Sequence, residues 1–187
     1  MRRPIWGKPR QLRTGRDGLI ALGVLVVVGA LALWLQPAPK PISGHAEVVD
    51  GDTLRFDALR VRLTGLDAPE LDQTCTHPDG SEWPCGIEAK QFVIGFIGRG
   101  TVTCARSGRD RYGRALAKCS IAAGDLGAQI VTAGWAVADL DYGVQELSAR
   151  AAGRGIWAGA FVAPADWRRT RPMLRNQRRL RRPTGKP

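Results

Sequence analysis

Nowhere do two cysteines stand as a CxxC pair, and of the two histidines only His77 lies near a cysteine. That spacing offers no zinc site. No internal repeat is visible, and 187 residues allow one domain with appendages but not two ordinary domains. Between Gly18 and Trp167 the chain also lacks a basic surplus: 13 basic residues face 16 acidic ones, although the whole carries a formal net charge of +11. The basicity belongs to two arms. Met1 to Asp17 holds six basic residues and one acid, and Arg168 to Pro187 holds nine and none. Overall charge is therefore weak support for a nucleic-acid partner, which has to be argued from a site.

The run Gly18 to Leu35 (GLIALGVLVVVGALALWL) has no charged or strongly polar side chain. As a helix it would rise roughly 27 Å, near the hydrocarbon thickness of a bilayer. Apolar residues on every face disfavour a buried core helix. A cleaved signal peptide is usually shorter and ends in a small-x-small site, whereas this run ends in Trp34-Leu35 and passes into Gln36-Pro37-Ala38-Pro39-Lys40-Pro41. It reads as an uncleaved transmembrane anchor at 18–35, with a basic cytoplasmic arm at 1–17 and all later residues on the extracytoplasmic (periplasmic) side. Secretion after cleavage is the alternative. All four cysteines, Cys75, Cys85, Cys104 and Cys119, follow this run. An even number in an exported domain reads as two disulfides. Three pairings are open; neighbouring antiparallel strands would join Cys104 to Cys119 and leave Cys75 for Cys85.

After a stiff Pro-rich linker at 36–43, a domain at 44–160 opens on short apolar stretches. His45 to Val49, Thr53 to Phe56 and Leu59 to Leu63 read as a three-strand meander, with Leu59, Val61 and Leu63 alternating against Arg60 and Arg62. A polar loop spans Leu71 to Gly86. Ala89, Phe92, Val93, Phe96 and Ile97 form one apolar helical stripe. Thr101 to Ala105 and Ala115 to Ile121 read as strands around a polar loop, Arg106 to Arg114. Asp125 caps a second helix that Gly134 ends, and a third runs from about Gly143 to Arg154. Five strands with a helix between the third and fourth is an α+β, OB-fold order: a five-stranded β-barrel with three helices, preceded here by one N-terminal transmembrane helix. The basic tail, 161–187, is expected to be largely disordered from Arg168 onward and to touch none of the site residues.

Three clusters carry candidate chemistry: Val49-Asp50-Gly51-Asp52-Thr53, Arg62-Leu63-Thr64-Gly65-Leu66-Asp67-Ala68-Pro69-Glu70 and Asp110-Arg111-Tyr112-Gly113-Arg114. Singly each has a plain reading as turn, loop acid or local ion pair, and Glu88, in a helix's first turn, reads only as a dipole partner. Together they form a chemical set. Two carboxylates and a backbone carbonyl suit a hard cation such as Ca²⁺. A third carboxylate can orient or deprotonate water. Two arginines offer bidentate donors to a phosphate and its transition state. Hydrolysis of a phosphodiester requires such a set.

From about Gly44 to Trp157 these motifs (VDGDT, RLTGLDAPE, DRYGR and a late GIW, in this order) resemble the staphylococcal nuclease (thermonuclease-like) family. The resemblance implies Ca²⁺-dependent endonucleolytic hydrolysis of DNA and RNA. It makes Asp52 and Asp67 calcium ligands together with the carbonyl of Ala68, and Glu70 the general base or water-orienting carboxylate. Arg62 and Arg114 would hold the scissile phosphate, Arg111 and Tyr112 would contact a terminal phosphate, and Tyr142 would lie near the base. Ala68 stands where the family's best-known member has threonine, and Leu140 where it has a second base-proximal tyrosine. The chain is read as a monomer with nucleic acid as substrate, a membrane contact through its first helix, and no protein partner. The alternatives are a catalytically inactive barrel that binds nucleic acid at the membrane, and a structural protein that spaces two basic arms. Retention of all five charged residues favours the enzyme, because carboxylates at a phosphate site repel the ligand unless a cation intervenes.

Overall fold

The computed structural model describes residues 16–35, 40–139 and 141–170. The chain divides into two compact units, Met1–Ala38 and Pro39–Pro187. In the first, α1 (Arg16–Trp34) is a 19-residue helix whose apolar side chains, Leu19, Ile20, Leu25 and Val27 among them, are exposed. Residues 1–15 of the expected basic arm and 36–39 of the expected linker lie outside the described residues, as do the side chains of Arg16, Asp17 and Leu33 within the helix. Among the described residues no helix is long and apolar enough to cross a membrane.

The second unit is built on a curled sheet. Its strands, in chain order, are β1 (Ile42–Gly44), β2 (Glu47–Asp50), β3 (Thr53–Phe56), β4 (Leu59–Leu63), β5 (Leu66–Asp67), β6 (Cys75–Thr76), β7 (Glu82–Trp83), β8 (Val102–Arg109), β9 (Ala115–Ile121), β10 (Gly124–Asp125) and β11 (Val137–Ala138). The helices α2 (Cys85–Ile97), α3 (Leu126–Thr132) and α4 (Gly143–Ala151) surround them, with a 3-10 turn at Gly155–Ala158. The large sheet runs β1-β8-β9-β4-β3-β2. All its pairs are antiparallel except β4 with β9. Its two edge strands, β1 and β2, are consecutive in the chain, so the first run of strand contacts both ends of a half-barrel. This is the strand order of an OB fold.

The alternation read along β4 is the burial seen: Val61 and Leu63 are buried, while Arg60 and Arg62 face the other way. The α2 stripe buries Ala89, Val93 and Ile97 against a core that includes Leu54, Val102, Leu126 and Ile130. Each of these valine, leucine and isoleucine side chains contributes roughly 1.5–3 kcal/mol by leaving water. Asp125 caps α3 as expected, accepting the Ala128 N–H.

Several expectations are corrected. The strand expected at His45 to Val49 starts only at Glu47 and runs to Asp50, and a short strand that was not expected, β1, lies before residues 45–46. The strand expected to end at Ala105 continues to Arg109, because a register shift between Arg106 and Gly108 lets pairing with β9 resume; the loop shrinks to 110–114. The third helix ends at Ala151, since Gly153 (φ 59°) turns the chain before Arg154. The loop Leu71 to Gly86 contains a β6–β7 ribbon, whereas the two expected disulfides are both present, Cys75–Cys85 across this loop and Cys104–Cys119 directly across β8 and β9.

The tail departs most. Residues 171–187 lie outside the described residues, but residues 164–170 are helical. The segment before them is tied in: Pro164 is fully buried, and Gln73 Nε2 donates to the Val162 carbonyl at 2.7 Å. The apolar residues Phe161, Val162, Pro164 and Trp167 continue the domain past residue 160, where a basic tail was expected to begin.

Candidate active site

Register brings the first two functional groups together. In the β3–β4 pair Thr53 lies opposite Arg62, and the Leu63 N–H donates to the Asp52 carbonyl at 2.8 Å. The Arg62 guanidinium therefore reaches Asp52, with Nη1 3.2 Å from Oδ1 and Nη2 3.0 Å from Oδ2. The same Nη2 donates to Asp67 Oδ1 at 2.8 Å. Asp67 is set on β5, beside Val137 of β11. Two glycines allow these loops to close: a Cβ on Gly51 would stand 2.6 Å from the Ala68 Cβ, and one on Gly86 would stand 1.7 Å from the Glu70 carbonyl oxygen.

Asp52 is 4% exposed. Burial pushes its carboxyl up to about 7, against the pull of Arg62 and with added repulsion from Asp50 and Asp67. Its oxygens also accept from Thr53 Oγ1 at 2.9 Å and the Ala68 N–H at 3.4 Å. Ala68, expected through its carbonyl, thus meets Asp52 through its amide.

The third cluster is a tight turn. Asp110 Oδ1 accepts the N–H of Tyr112 (2.9 Å) and of Arg114 (3.0 Å), and Oδ2 accepts Arg114 Nε at 2.7 Å. Because Ala115 pairs in parallel with Val61, Arg114 enters the sheet beside Arg60 and Arg62. Tyr112 is 70% exposed, and its ring lies under Arg111 at 4.9 Å and Arg114 at 5.7 Å.

These groups line one open cavity of about 530 Å³, formed by Arg60, Arg62, Glu70, Arg111, Tyr112, Arg114 and Arg168. Arg62, Glu70, Arg111, Tyr112 and Arg114 are thus brought to one cavity, with Asp52 and Asp67 tied to it through Arg62. Tyr142 is not among the lining residues. It stands at the start of α4 with φ 68°, its hydroxyl bonded to Asp125 at 3.0 Å and packed where a Cβ on Gly127 would be. The neighbouring Leu140 lies outside the described residues.

Three members were missed. Arg60 shares the outward face of β4 with Arg62, and the alternation that exposed one exposes both. Asp110 was read as a partner only, yet it sets the Arg114 side chain. Arg168, assigned to a disordered tail clear of the site, donates Nη1 to Asp67 Oδ1 (2.9 Å) and Glu70 Oε1 (3.0 Å), and Nη2 to Asp67 Oδ2 (2.8 Å). The position of Trp167 immediately before it, an aromatic in a polar tail, is the sequence feature that marks the segment as docked.

Among the described residues no three or more His, Cys, Asp or Glu side chains are gathered so that they could hold a metal ion. The carboxylates are knit instead by guanidinium groups. By chemistry the donors still fit a hard divalent cation: they are oxygens, and one of them is a buried carboxylate whose charge burial disfavours unless positive charge is supplied.

Residues 60–159 match the family described as Staphylococcal nuclease homologue. The chain is 35% identical over 156 residues to a succinoglycan biosynthesis protein, ExoI, of Rhizobium meliloti, covering 80% of this chain and 81% of that one. It is 30% identical over 135 residues to an uncharacterized endonuclease of Haemophilus influenzae, covering 66% and 70%. An uncharacterized endonuclease of Escherichia coli O157:H7 is 35% identical over 133 residues, covering 65% and 80%.

Proposed function

The chain belongs to the staphylococcal nuclease family, and from that premise we propose that it is a Ca²⁺-dependent nuclease hydrolysing DNA and RNA with little sequence preference. One observation carries the reading: a single cavity gathers the guanidinium groups of Arg60, Arg62, Arg111, Arg114 and Arg168 around Glu70, with Asp52 and Asp67 bonded to its wall. Asp52 and Asp67, with the Ala68 carbonyl, would hold the cation, which when bound supplies charge neutralisation and polarises the phosphate. Glu70 orients and deprotonates the attacking water. Arg62 and Arg114 grip the scissile phosphate and stabilise the charge that develops on its oxygens, and Arg111 with Tyr112 holds a flanking phosphate. Attachment to a membrane through the apolar run Gly18 to Leu35, with the nuclease unit extracytoplasmic and monomeric, is proposed from the sequence alone, since no described helix is long and apolar enough to cross a bilayer; release by cleavage after the run is the alternative.

A second reading, a barrel that binds nucleic acid without cutting it, is favoured by the engagement of both Asp67 oxygens by arginines. Cleavage and retention assays on DNA and RNA separate the two. The nuclease reading expects wild-type chain to cut both polymers and Glu70→Gln to retain them uncut. Retention without cutting by the wild type in Ca²⁺ supports the binding module.

A further inference from the structure

Arg168 lies beyond residue 159, where the family match ends, and its placement is built into the fold. Gln73, 1% exposed, joins two segments. Its Nε2 donates to the Val162 carbonyl at 2.7 Å and its Oε1 accepts the Glu70 N–H at 3.2 Å. The chain that carries Arg168 is thereby fixed to the loop that carries Glu70. Pro164, fully buried, holds the start of the helix at residues 164–170. From that helix Arg168 lines the cavity and bonds both oxygens of Asp67 and one of Glu70, at 2.8–3.0 Å.

Such bidentate pairing is the strong form of a charge-assisted hydrogen bond. It also occupies the lone pairs a metal ion would use. Asp67 Oδ1 already accepts from Arg62 as well, so a cation entering with Arg168 in place would meet two guanidinium groups at one carboxylate. Like charges a few ångströms apart in a partly desolvated site repel strongly. Arg62 is held by two aspartates and its side chain is 22% exposed, whereas Arg168 is 39% exposed and reaches in from the chain's last described helix. Of the two, Arg168 is the one free to leave.

Resting on the cation reading above, we propose that Arg168 is the resident counterion of Asp67 and Glu70 and competes with the divalent cation for them. The cation binds as the guanidinium is released into the cavity that Arg62 and Arg114 also line. Arg168 is thus a positioning residue that sets metal affinity, holding the carboxylates in place and screened while no cation is bound. Because a phosphate in the cavity offers the released guanidinium a new partner, phosphate and cation reinforce each other's binding.

The test is calorimetric titration of the full-length chain with Ca²⁺ alone, without nucleic acid, at fixed ionic strength. Arg168→Gln, which keeps a polar side chain but removes the guanidinium and its charge, is expected to bind Ca²⁺ about tenfold more tightly than wild type. Arg168→Lys keeps one point charge and loses the two-pronged grip, so it is expected to fall between, at about threefold, and carries the test alone if the glutamine variant does not fold. A second readout needs no metal: in chelator Arg168→Gln melts below wild type, and saturating Ca²⁺ raises its Tm by more than it raises that of wild type. Unchanged or weaker Ca²⁺ binding in both variants, with wild type binding the ion, overturns the competition and leaves the cation site standing. No Ca²⁺ binding by any of the three proteins overturns the cation reading and this proposal with it.

Discussion

Arg114 and Asp110 are joined three times within one turn. The Asp110 carboxylate accepts both Arg114 Nε, at 2.7 Å, and the Arg114 N–H, at 3.0 Å, while the Asp110 N–H donates to the Arg114 carbonyl at 3.0 Å. The terminal guanidinium nitrogens take no part in this pairing, so Asp110 aims the group without consuming the nitrogens that meet a phosphate. Asp110→Ala is expected to lower kcat/KM about 10- to 100-fold with an unchanged circular dichroism spectrum, as for loss of orientation at a distance from the chemistry. A full-rate variant would make the pair a surface contact only.

The arginines differ in what their loss exposes. Arg62→Lys and Arg114→Lys keep charge but lose the planar fork, and each is expected to reduce turnover by roughly 10²–10⁴-fold with the fold retained. Arg62→Leu removes the partner of buried Asp52 and should cost roughly 3–5 kcal/mol of stability as well; Arg114→Leu, whose partner Asp110 belongs to the 110–114 turn, should cost much less. Urea titrations that found the two leucine variants equally stable would contradict the buried placement of the Asp52–Arg62 pair.

The site was legible where chemistry and local pattern coincide. The β4 alternation exposed Arg62, Asp-Gly-Asp marked the turn before β3, and Asp125 before an apolar stripe marked the cap of α3. The Cys104–Cys119 bond followed once β8 and β9 were taken as neighbours. What could not be read locally was tertiary: Tyr142 is claimed by Asp125 rather than by the cavity, and Arg168 meets Asp67 across 101 residues. A count of arginines made the tail a solvated arm, whereas Pro164 and Trp167 dock it. The length of β8 was hidden for another reason, since a register shift leaves no periodic trace.

Asp52 predicts a pH dependence of stability in the metal-free protein. Burial raises its carboxyl from an ordinary 3.8 to about 7, so the folded chain holds this proton more tightly than the unfolded chain. Its contribution is therefore full below pH 3.8 and is lost as pH rises through about 7, by at most about 4 kcal/mol. In chelator, Tm should fall across that window, and Asp52→Asn should flatten the fall. A Tm that rises over the same range in wild type, and not in Asp52→Asn, would reverse the sign and reject the assignment.

The disulfides carry a separate prediction. Cys104 and Cys119 close a loop with a sequence separation of 15, for which chain entropy gives roughly 3 kcal/mol. The Cys104→Ser/Cys119→Ser double variant should lose about that much in chemical denaturation and keep its cleavage rate under conditions where it is folded. An unchanged denaturation midpoint would show that the bond adds nothing to the β8–β9 pairing.

The central claim is that these carboxylates and arginines together make a cation-dependent nuclease. Its most direct test is the rate of phosphodiester cleavage of single-stranded DNA by the full-length chain, measured in Ca²⁺ and again in excess chelator. Rapid cleavage in Ca²⁺ that falls to background in chelator is the expected result, and cleavage undiminished by chelator would contradict the account.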